Sequence, residues 1–554
     1  MADLVLGPLL RYVSDTEATV WVETDAPCEV AVLGRTASTF AVAGHHYALV
    51  VLDGLAPGST LPYEVHLDGV PSWPSADDPY PPCVIRTHTH DESLRLAFGS
   101  CRVSVPHAKP YVLSKDDDPR GRELDALLAL VERMRYDPPS EWPDALLLLG
   151  DQVYADEVSP ATKELIASRR GSDGPPPDEV GDFEEYTSLY RESWSDPALR
   201  WLLSAVSSAM IFDDHDVHDD WNTSEAWVAQ MRAQPWWEER ILGGYMSYWI
   251  YQHLGNLSPS GLYDDPIFCA VQEAEGDCEE LVRSFARTAA REIAGARWSF
   301  YRDFGRTRLV VVDSRAGRVL SEGRRQMLSD AEWEWVEDRC AGDFDHLIIG
   351  TSLPVMLAAG MHHLEAWNEA VCNGAWGRLA ARAGEKIRQG LDLEHWAAFD
   401  GCFSRMSVLL EDVAAGRRGP APATVVLLSG DVHHAYLAEA WFPGRDVISR
   451  VLQATCSPVR NPLDKHERRL LRSAFTRPVA AIARRLARAA GVTPAPMRWT
   501  FAQDPTFDNQ IARLDLRGRD ARLQIEKTRP ADWPTPRLHP ILSLGIPPKA
   551  TDRS

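Results

Sequence analysis

Two kinds of hydrophobic pattern divide the chain near residue 90. Before that point, short runs such as "ATVWVETD" (18–25) show partial alternation of apolar and polar residues. In "LDGLAPGSTLPYEVHLDG" (52–69) a proline-glycine turn precedes an alternating strand that carries Tyr63. Alternation with a period of two is typical of strands that bury one face. Residues 1–90 are therefore predicted to form an all-β domain, with Trp21 and Tyr63 in its core.

From Leu94 the pattern changes to short, continuously apolar runs separated by longer helical stretches such as 121–135. Continuous apolar runs are typical of strands buried on both faces of a sheet, with helices covering it. Residues 91–554 are therefore predicted to form an α/β domain, and chemistry in such folds collects in the loops beyond strand ends. Six predicted strands end in such loops: "LRLAFGSCR", "ALLLLGDQVYADE", "SAMIFDDHDVHDDWN", "RLVVVDSRAGR", "HLIIGTSLP" and "TVVLLSGDVHHAY".

The loop after the third of these strands is unusually acidic. Residues 212–222, "FDDHDVHDDWN", hold five aspartates and two histidines directly behind an apolar run. Carboxylates crowded together at a buried strand end repel one another unless they are protonated or bind a cation. The other loops add ligands of several types, namely the thiol of Cys101, the carboxylates of Asp151 and Asp431, and the phenol of Tyr154. This mixture of hard and soft ligands indicates more than one metal ion.

Composition limits the classes of function. Lys and Arg number 58 against 80 Asp and Glu, a formal charge of −22, which disfavours nonspecific binding to nucleic acid. The nine cysteines include no C-x-x-C pair, so neither a disulfide framework nor a structural zinc site is expected. The chain shows no pattern of a signal peptide or of a membrane-spanning segment, and we predict a cytoplasmic location, with signal-independent export left open.

Taken together and in order, "SC", "GDxxY", "DDH[DE]" and "SGDVH" resemble the alkaline phosphatase D (PhoD-like) family of the metallophosphatase superfamily. The resemblance covers residues 94 to about 460. It implies a four-layer α/β metallophosphatase sandwich preceded by a β-sandwich, and residues 52–69 resemble the fibronectin type III signature. The fold expected is therefore a four-layer α/β sandwich behind a fibronectin type III-like domain.

The resemblance also implies a set of metal ligands for ferric iron (Fe3+) and calcium (Ca2+), with manganese, zinc or magnesium as alternatives. Asp151 would bridge the two ions. Asp214 and His215 fall on the "DDH" of the family, whereas Asp219 and Asp220 stand where many members have asparagine, so Asp219, Asp220 and Asn222 remain alternatives and Asp219 is preferred. The metal ligands expected are Cys101, Asp151, Tyr154, Asp214, Asp219 and Asp431.

These ligands predict hydrolysis of phosphate esters. A metal-bound hydroxide would attack phosphorus in line with the leaving oxygen, while cationic side chains stabilise the equatorial charge. Arg315 is the preferred phosphate clamp, because a guanidinium binds phosphoryl oxygens bidentately, and Arg102 and Arg460 are weaker candidates. His215 or His433 would protonate the leaving group, with His434 as a second candidate beside His433.

The predicted function is therefore a metal-dependent phosphomonoesterase or phosphodiesterase acting on small-molecule phosphate esters. The alternative is a calcium-stabilised binding protein that keeps the fold but has lost turnover, a hypothesis motivated by Asp219 and Asp220. A nuclease is disfavoured by the net charge. Hydrolysis that is lost in Asp151→Asn would exclude the binding protein.

Three further segments carry predictions. Residues 468–491 contain seven arginines among apolar residues and could make a weak contact with an anionic surface, although we favour an exposed helical pair whose arginines pair with the acidic excess of the protein. The aromatic residues of 235–254 recur at helical spacing and are expected in the core. "RLHPILSLGIPP" (537–548) is interpreted as a docking tail.

Overall fold

The N-terminal part of the chain folds into short antiparallel strands, as the alternating pattern predicts. The computed structural model describes residues 2–89, 93–171 and 174–549. Two four-stranded sheets have the orders β1-β2-β6-β5 and β4-β3-β8-β9, and β10 pairs with β7. Trp21 and Tyr63 are buried, as predicted. The strands are β1 (Leu4–Val13), β2 (Ala18–Thr24), β3 (Glu29–Val32), β4 (Arg35–Ser38), β5 (Phe40–Val42), β6 (His45–Leu52), β7 (Thr60–Pro62), β8 (Val65–Leu67), β9 (Val70–Trp73) and β10 (Val84–Arg86).

The remaining strands form two larger sheets with the orders β13-β12-β11-β21-β22-β23 and β14-β15-β16-β17-β19-β18-β20. Within them, β11, β12 and β13 are parallel, as are β15, β16, β17 and β19. The strands are β11 (Ser93–Gly99), β12 (Ala145–Leu148), β13 (Ser207–Met210), β14 (Phe300–Phe304), β15 (Thr307–Val312), β16 (His346–Thr351), β17 (Thr424–Ser429), β18 (Tyr436–Trp441), β19 (Arg450–Thr455), β20 (Arg498–Phe501), β21 (Gln510–Arg517), β22 (Asp520–Lys527) and β23 (His539–Ile546).

Helices connect these strands and cover the sheets. Many begin at a Ser or Asp whose side chain accepts a hydrogen bond from the first turn, for example Asp125 before α1 and Ser159 before α2. The helices are α1 (Ala126–Met134), α2 (Pro160–Arg170), α3 (Phe183–Trp194), α4 (Pro197–Ala205), α5 (Glu225–Arg232), α6 (Trp237–Ser247), α7 (Pro259–Asp264), α8 (Pro266–Glu273), α9 (Glu279–Arg291), α10 (Asp330–Arg339), α11 (Ala359–Cys372), α12 (Arg378–Gly390), α13 (Asp400–Ala414), α14 (Lys465–Ala474) and α15 (Arg477–Ala489).

The two large sheets pack face to face in the middle of a four-layer arrangement. A Cβ placed on Gly350 of β16 would lie 3.4 Å from the side chain of Leu147 in β12, so the sheets approach closely there. The outer face of the second sheet packs on buried residues of α10 and α13, such as Trp333 and Phe403. All six predicted strands are present as β11, β12, β13, β15, β16 and β17, and the predicted four-layer α/β class is confirmed.

The N-terminal strands pack directly on the α/β region. Arg11 of β1 is fully buried and donates to the carbonyl oxygens of Tyr251 and Gln252, at 2.8 and 2.7 Å. The hydroxyl of Tyr63 donates to the carbonyl oxygen of Ser204, at 2.6 Å. The predicted domain boundary between residues 90 and 91 lies outside the described residues.

The aromatic segment 235–254 lies at this contact. It forms α6 and then a single π-helical turn, Tyr248–His253, whose side chains are buried. Tyr251 stacks on Tyr190 of α3 at a centroid distance of 4.3 Å and contacts Tyr47 of β6. The prediction that these aromatic residues belong to the core is confirmed for five of the six, whereas Trp236 is only partly buried against the core.

The C-terminal part of the chain holds one confirmed prediction and one that is wrong. The helical pair predicted for residues 468–491 is present as α14 and α15, although α14 begins three residues earlier. Residues 537–548 are not a docking tail, because they form β23, which pairs with β22 at the edge of the first large sheet. Among the described helices, none combines the length and apolar character needed to cross a bilayer.

Candidate metal centre

The loops that follow the parallel strands converge at one edge of the two sheets. Cys101 follows β11, Asp151 follows β12, Asp214 follows β13 and Asp431 follows β17. The backbone amide of Cys101 donates to the carbonyl of Gly150, and the amide of Asp431 donates to the hydroxyl of Ser100, at 3.0 Å. Loops from both sheets are thereby locked together.

Several residues in these loops have a left-handed backbone. The φ angles are 59° for Cys101, 51° for Asp151, 65° for Asp431 and 51° for His433. Such angles are uncommon for residues other than glycine, and they cost free energy that the surrounding structure must supply. Four predicted site residues therefore share backbone strain of the kind that clusters at functional sites.

The glycines that precede two of the aspartates are required by close packing. A Cβ on Gly150 would lie 2.5 Å from the Cβ of Asp213, and a Cβ on Gly430 would lie 2.1 Å from the hydroxyl of Ser100. Neither distance is possible for a real side chain. The Gly-Asp pairs of "GDQVY" and "SGDVHH" thus allow neighbouring loops to touch the backbone directly.

Cys101 and Tyr154 form a buried pair beside Asp151. The Cys101 thiol lies 3.1 Å from the hydroxyl of Ser457, and the Tyr154 hydroxyl lies 3.3 Å from Oδ2 of Asp151. Burial, followed by the charges of Asp151 and Asp431, raises the pKa of the Cys101 thiol well above its usual value. Burial and the charge of Asp151 also raise the pKa of the Tyr154 hydroxyl. In the absence of a cation, both groups are therefore neutral.

Asp151 also belongs to a cluster of three buried carboxylates. One oxygen each of Asp151, Asp213 and Asp214 lies within 4.8 Å of the others. Oδ1 of Asp151, Oδ2 of Asp213 and Oδ1 of Asp214 are buried without a hydrogen-bond partner among the described residues. Burial and mutual repulsion raise the pKa of Asp151, and burial likewise raises those of Asp213 and Asp214. Buried carboxylates that converge in this way, each with an oxygen free of hydrogen bonds, fit a bound cation.

A second group of possible ligands consists of Asp214, His215 and Asp219, whose ligand atoms also lie within 4.8 Å of one another. Asp219 is exposed, whereas the amide of Asn222 donates to the carbonyl oxygen of Arg315, at 3.2 Å. Asp220 keeps a buried, unpartnered Oδ1, but it is not part of this group. Among the three alternatives, the geometry favours Asp219.

The imidazole of His215 is held between carboxylates. Its Nδ1 lies 2.9 Å from Oδ1 of Asp156, its Nε2 lies 3.8 Å from Oδ1 of Asp219, and its ring stacks 4.5 Å from that of Tyr154. Burial alone would lower the pKa of His215, but the charges of Asp156 and Asp214 outweigh it and raise the pKa well above the usual value. These carboxylates therefore favour the protonated form of the imidazole.

The two histidines after Asp431 have different environments. Burial lowers the pKa of His433 to about 3, and its backbone amide donates to the hydroxyl of Ser457, at 3.2 Å. His434 instead bonds through Nδ1 to the carbonyl oxygen of Val432, and its ring packs on Phe507. Burial also lowers the pKa of His434, to about 4, so both imidazoles are neutral. Because Nδ1 of His434 is already bonded to Val432, the contacts favour His433 over His434 for a role in the site.

Arg315 lies beneath the carboxylates rather than over an open face. Its side chain is fully buried, its Nε is 2.6 Å from Asp213, and its Nη1 is 2.5 Å from Glu394. Nη2 lies 3.4 Å from Asp214 and 3.5 Å from Asp431. These contacts give no support to the predicted phosphate clamp, because the guanidinium is already surrounded by carboxylates. The contacts of Arg315 are typical of a buried cation that neutralises and positions neighbouring carboxylates.

The two weaker clamp candidates also point away from the site. The guanidinium of Arg102 bonds to Asp125 at 2.8 Å and to Ser193, and that of Arg460 bonds to the carbonyl oxygens of Val105 and Pro106. Both side chains are buried in these contacts. Arg102 and Arg460 therefore hold the loops in place.

The structure adds polar residues to the site that the sequence did not reveal. His395 bridges Glu365, at 2.7 Å, and Asp431, at 3.3 Å. Asp213, the first aspartate of the acidic run, could be suspected from the sequence because it adjoins Asp214. Its close approach to Gly150 is visible only in the folded structure. The added residues are Asp156, Asp213, Glu365, Glu394 and His395.

Comparisons with known proteins agree with this architecture. A family model described as PhoD-like phosphatase matches residues 128–469, and a model for a domain of unknown function, DUF7800, matches residues 1–85. No curated protein matches the sequence.

One solved structure is similar in fold, and a second matches more weakly. "Structure of PhoD" superposes with a TM-score of 0.60 at 13% identity, covering 98% of this chain and 90% of the other. The purple acid phosphatase PPD1 from yellow lupin (Lupinus luteus) seeds gives a TM-score of 0.48 at 10% identity, covering 98% and 74%. Because the family model spans well over half of its length, the chain belongs to the PhoD-like phosphatase family.

Proposed function

We propose that the protein is a metal-dependent hydrolase of small-molecule phosphate esters. The observation that carries the proposal is the convergence of Asp151, Asp213 and Asp214, each of which keeps one buried oxygen without a hydrogen bond, beside the thiol of Cys101 and the phenol of Tyr154. Membership of the PhoD-like phosphatase family supports the reaction class. The formal charge of −22 favours small esters over nucleic acid.

The residues present fit two kinds of ion. Cys101, Tyr154, Asp151 and Asp431 supply the thiolate, phenolate and carboxylates that suit ferric iron. The cluster of Asp151, Asp213 and Asp214, with the nearby carboxylate of Asp219, supplies oxygen ligands that suit calcium. When bound, such ions polarise phosphoryl oxygens and acidify water.

The remaining side chains would orient the ester and move protons. His215, held by Asp156 on Nδ1, has its Nε2 free of any contact shorter than the 3.8 Å to Asp219 among the described residues. A proton on that nitrogen can pass to a leaving oxygen, which is the general-acid role. His433 is the alternative, and because burial keeps its imidazole neutral, it would have to take up a proton before passing one to the leaving oxygen. Arg315 and His395 would fix the carboxylates through ion pairs.

The test is a paired measurement of metal content and hydrolysis on wild type and Cys101→Ala. We expect iron and calcium in the wild type, cleavage of aryl phosphate monoesters or diesters, and a joint loss of iron and activity in the variant. Cys456→Ala is a matched control, because Cys456 is an equally buried thiol outside the ligand set and its loss should leave both readouts unchanged. Full metal content with no ester cleaved would support the binding protein instead, and unchanged iron and activity in Cys101→Ala would remove Cys101 from the site.

A further inference from the structure

The helical hairpin α14–α15 is strongly basic, although the protein as a whole is acidic. Between Lys465 and Ala489 the chain carries eight Lys or Arg side chains and a single carboxylate, that of Glu467. The formal charge of the whole chain is −22. A positive surface on a negative protein can attract an anionic partner.

The arginines of the hairpin are mostly not paired with the acidic excess of the protein. Arg468 bonds to Asp116, whereas Arg484 contacts the ring nitrogen of His363 and Arg472 lies over the ring of Phe507. Arg469, Arg477, Arg485 and Arg488 are exposed, and within residues 2–89, 93–171 and 174–549 they make no ion pair. The internal pairing favoured from the sequence is therefore largely not present.

Some of the largest apolar side chains of the hairpin are exposed to solvent. Helix α15 buries three alanines, Ala480, Ala483 and Ala487, and exposes the larger Ile482, whose exposed fraction is 58%. Helix α14 buries none of its residues, and its Leu470 is 69% exposed. A surface helix normally turns its largest apolar residues toward the core. Large aliphatic side chains left in water among arginines indicate a surface that is covered by something else.

Close packing on α11 explains why the small residues face inward. A Cβ on Gly360 of α11 would lie 2.6 Å from the carbonyl oxygen of Ala474 and 3.1 Å from Val479. At the other end, the indole of Trp376 donates to the carbonyl oxygen of Ala489, at 3.2 Å. The hairpin is thus fixed to the protein by its alanine side, and its arginines and aliphatic residues project outward as a preformed face.

We propose that this outward face of α14–α15 docks the protein on an anionic lipid bilayer. Arginines interleaved with exposed leucine and isoleucine suit a bilayer surface, where the cations meet headgroup phosphates and the aliphatic groups enter the acyl boundary. Trp376, which is 43% exposed beside the end of α15, is the residue type enriched at that boundary. Nucleic acid would use the arginines but leave Leu470 and Ile482 in water.

Docking on this face would place the bilayer close to the candidate metal centre. The segment that leads into α14 carries Asn461, whose amide donates to the hydroxyl of Tyr154, at 3.3 Å. Phe475, between the two helices, packs against His434 at a centroid distance of 5.7 Å. The docking proposal stands on the surface alone and does not depend on the reaction.

The test is co-sedimentation of the full chain with phosphatidylcholine vesicles, with and without phosphatidylglycerol, at low and high salt. We expect binding only to the anionic vesicles and release at high salt. Arg477→Glu/Arg485→Glu should weaken binding by at least about fivefold per arginine, and Leu470→Ser/Ile482→Ser by at least about tenfold. Hydrolysis of a soluble aryl phosphate should be unchanged in both double variants, which separates this result from failure of the proposed reaction.

Matched controls lie on other surfaces. Arg35→Glu changes a 55% exposed arginine of the N-terminal region, and Tyr136→Ser an 81% exposed aromatic residue. Neither should alter vesicle binding. The proposal is overturned by a wild type that ignores anionic vesicles at low salt, by equal binding to neutral vesicles, or by double variants that bind like the controls. Binding to oligonucleotides in preference to vesicles would overturn it in favour of a nucleic-acid surface.

Discussion

The contact between the N-terminal strands and the α/β region buries polar groups that are largely satisfied. The guanidinium of Arg11 donates to two carbonyl oxygens, and its own carbonyl oxygen accepts from the hydroxyl of Ser207, at 2.7 Å, and from Arg302, at 3.1 Å. Hydrogen bonds of this kind stabilise a fold because the groups would otherwise be stranded away from water.

The candidate metal centre, in contrast, buries polar groups whose hydrogen bonds are incomplete. Asp151, Asp213 and Asp214 each keep an oxygen without a hydrogen bond, and like charges are brought together on strained loops. Such an arrangement costs stability unless a cation completes it. The difference shows that the polar contacts at the first region hold the fold together, whereas those at the second are left open for a ligand.

The largest effect is expected from Gly430→Ala. The new Cβ would collide with the hydroxyl of Ser100, which already anchors the amide of Asp431. We expect a loss of about 3 kcal/mol in the free energy of unfolding, together with loss of hydrolysis, measured by denaturant titration and ester assay. Gly401→Ala is the control, because nothing lies within 4 Å of its Cβ and it sits in α13, where alanine should be neutral or stabilising. Wild-type stability in Gly430→Ala would contradict the proposed close contact of the loops.

Arg11→Met tests the contact between the N-terminal strands and the α/β region, where the buried polar groups are hydrogen-bonded. Removing the guanidinium leaves the buried carbonyl oxygens of Tyr251 and Gln252 without donors, so we expect a loss of about 2 kcal/mol in unfolding free energy. Hydrolysis per folded molecule should be unchanged, because Arg11 is not part of the site. Arg35→Met, at a 55% exposed position, should change stability by less than about 0.5 kcal/mol. A variant that keeps its stability but loses activity would reverse the roles assigned to the two regions.

His395→Gln tests whether the bridge from Glu365 to Asp431 positions a metal ligand. We expect about a tenfold fall in hydrolysis or in metal affinity, with restoration at higher metal concentration. The control is His346→Gln, since His346 bonds to Thr424 at 2.8 Å outside the site. Equal metal affinity in wild type and His395→Gln would show that the bridge has no positioning role.

The smallest expected effect is the pH dependence of the stability that His45 contributes in the N-terminal region. Burial lowers the pKa of His45, but hydrogen bonds to Glu23 and to Glu184 of α3 outweigh it and raise the pKa to about 8. A raised pKa means that the protonated form is stabilised in the folded state, so this contribution is complete below the unfolded pKa of 6.5 and is lost as pH rises through about 8. Because Glu184 is half exposed, we expect about 1 kcal/mol.

The measurement is the difference in unfolding free energy between wild type and His45→Gln, on either side of this range. The difference should be larger at the lower pH and should shrink at the higher pH. The difference between the proteins is compared, rather than either alone, because metal binding also depends on pH. A difference that does not vary with pH would exclude the proton on His45 as its source.

The sequence predicts most of the architecture but only part of the site. The six strands that bear the loops were predictable because each is a continuous apolar run that ends at a polar cluster. Strand β23 was not, because proline and exposed positions in "RLHPILSLGIPP" hide an edge strand.

Site residues were predictable where they directly follow a strand, as Asp151 and Asp431 do. His395 and Glu365 carry no such signal, since their contact with Asp431 arises from the packing of distant segments. The burial of Arg315 beneath the aspartates was also invisible in sequence, because a strand-end arginine gives no indication of which side it turns to.

The central claim is that cations complete the buried carboxylate cluster, and the most direct test is the thermal stability of wild type and Asp151→Asn with and without a chelator. We predict that chelation destabilises the wild type strongly and the variant weakly. We also predict that the chelated variant is more stable than the chelated wild type, because one repelling charge is gone, although it has lost hydrolysis. If the chelator affected both proteins equally, and the chelated wild type were more stable than the chelated variant, cations would not complete the carboxylate cluster.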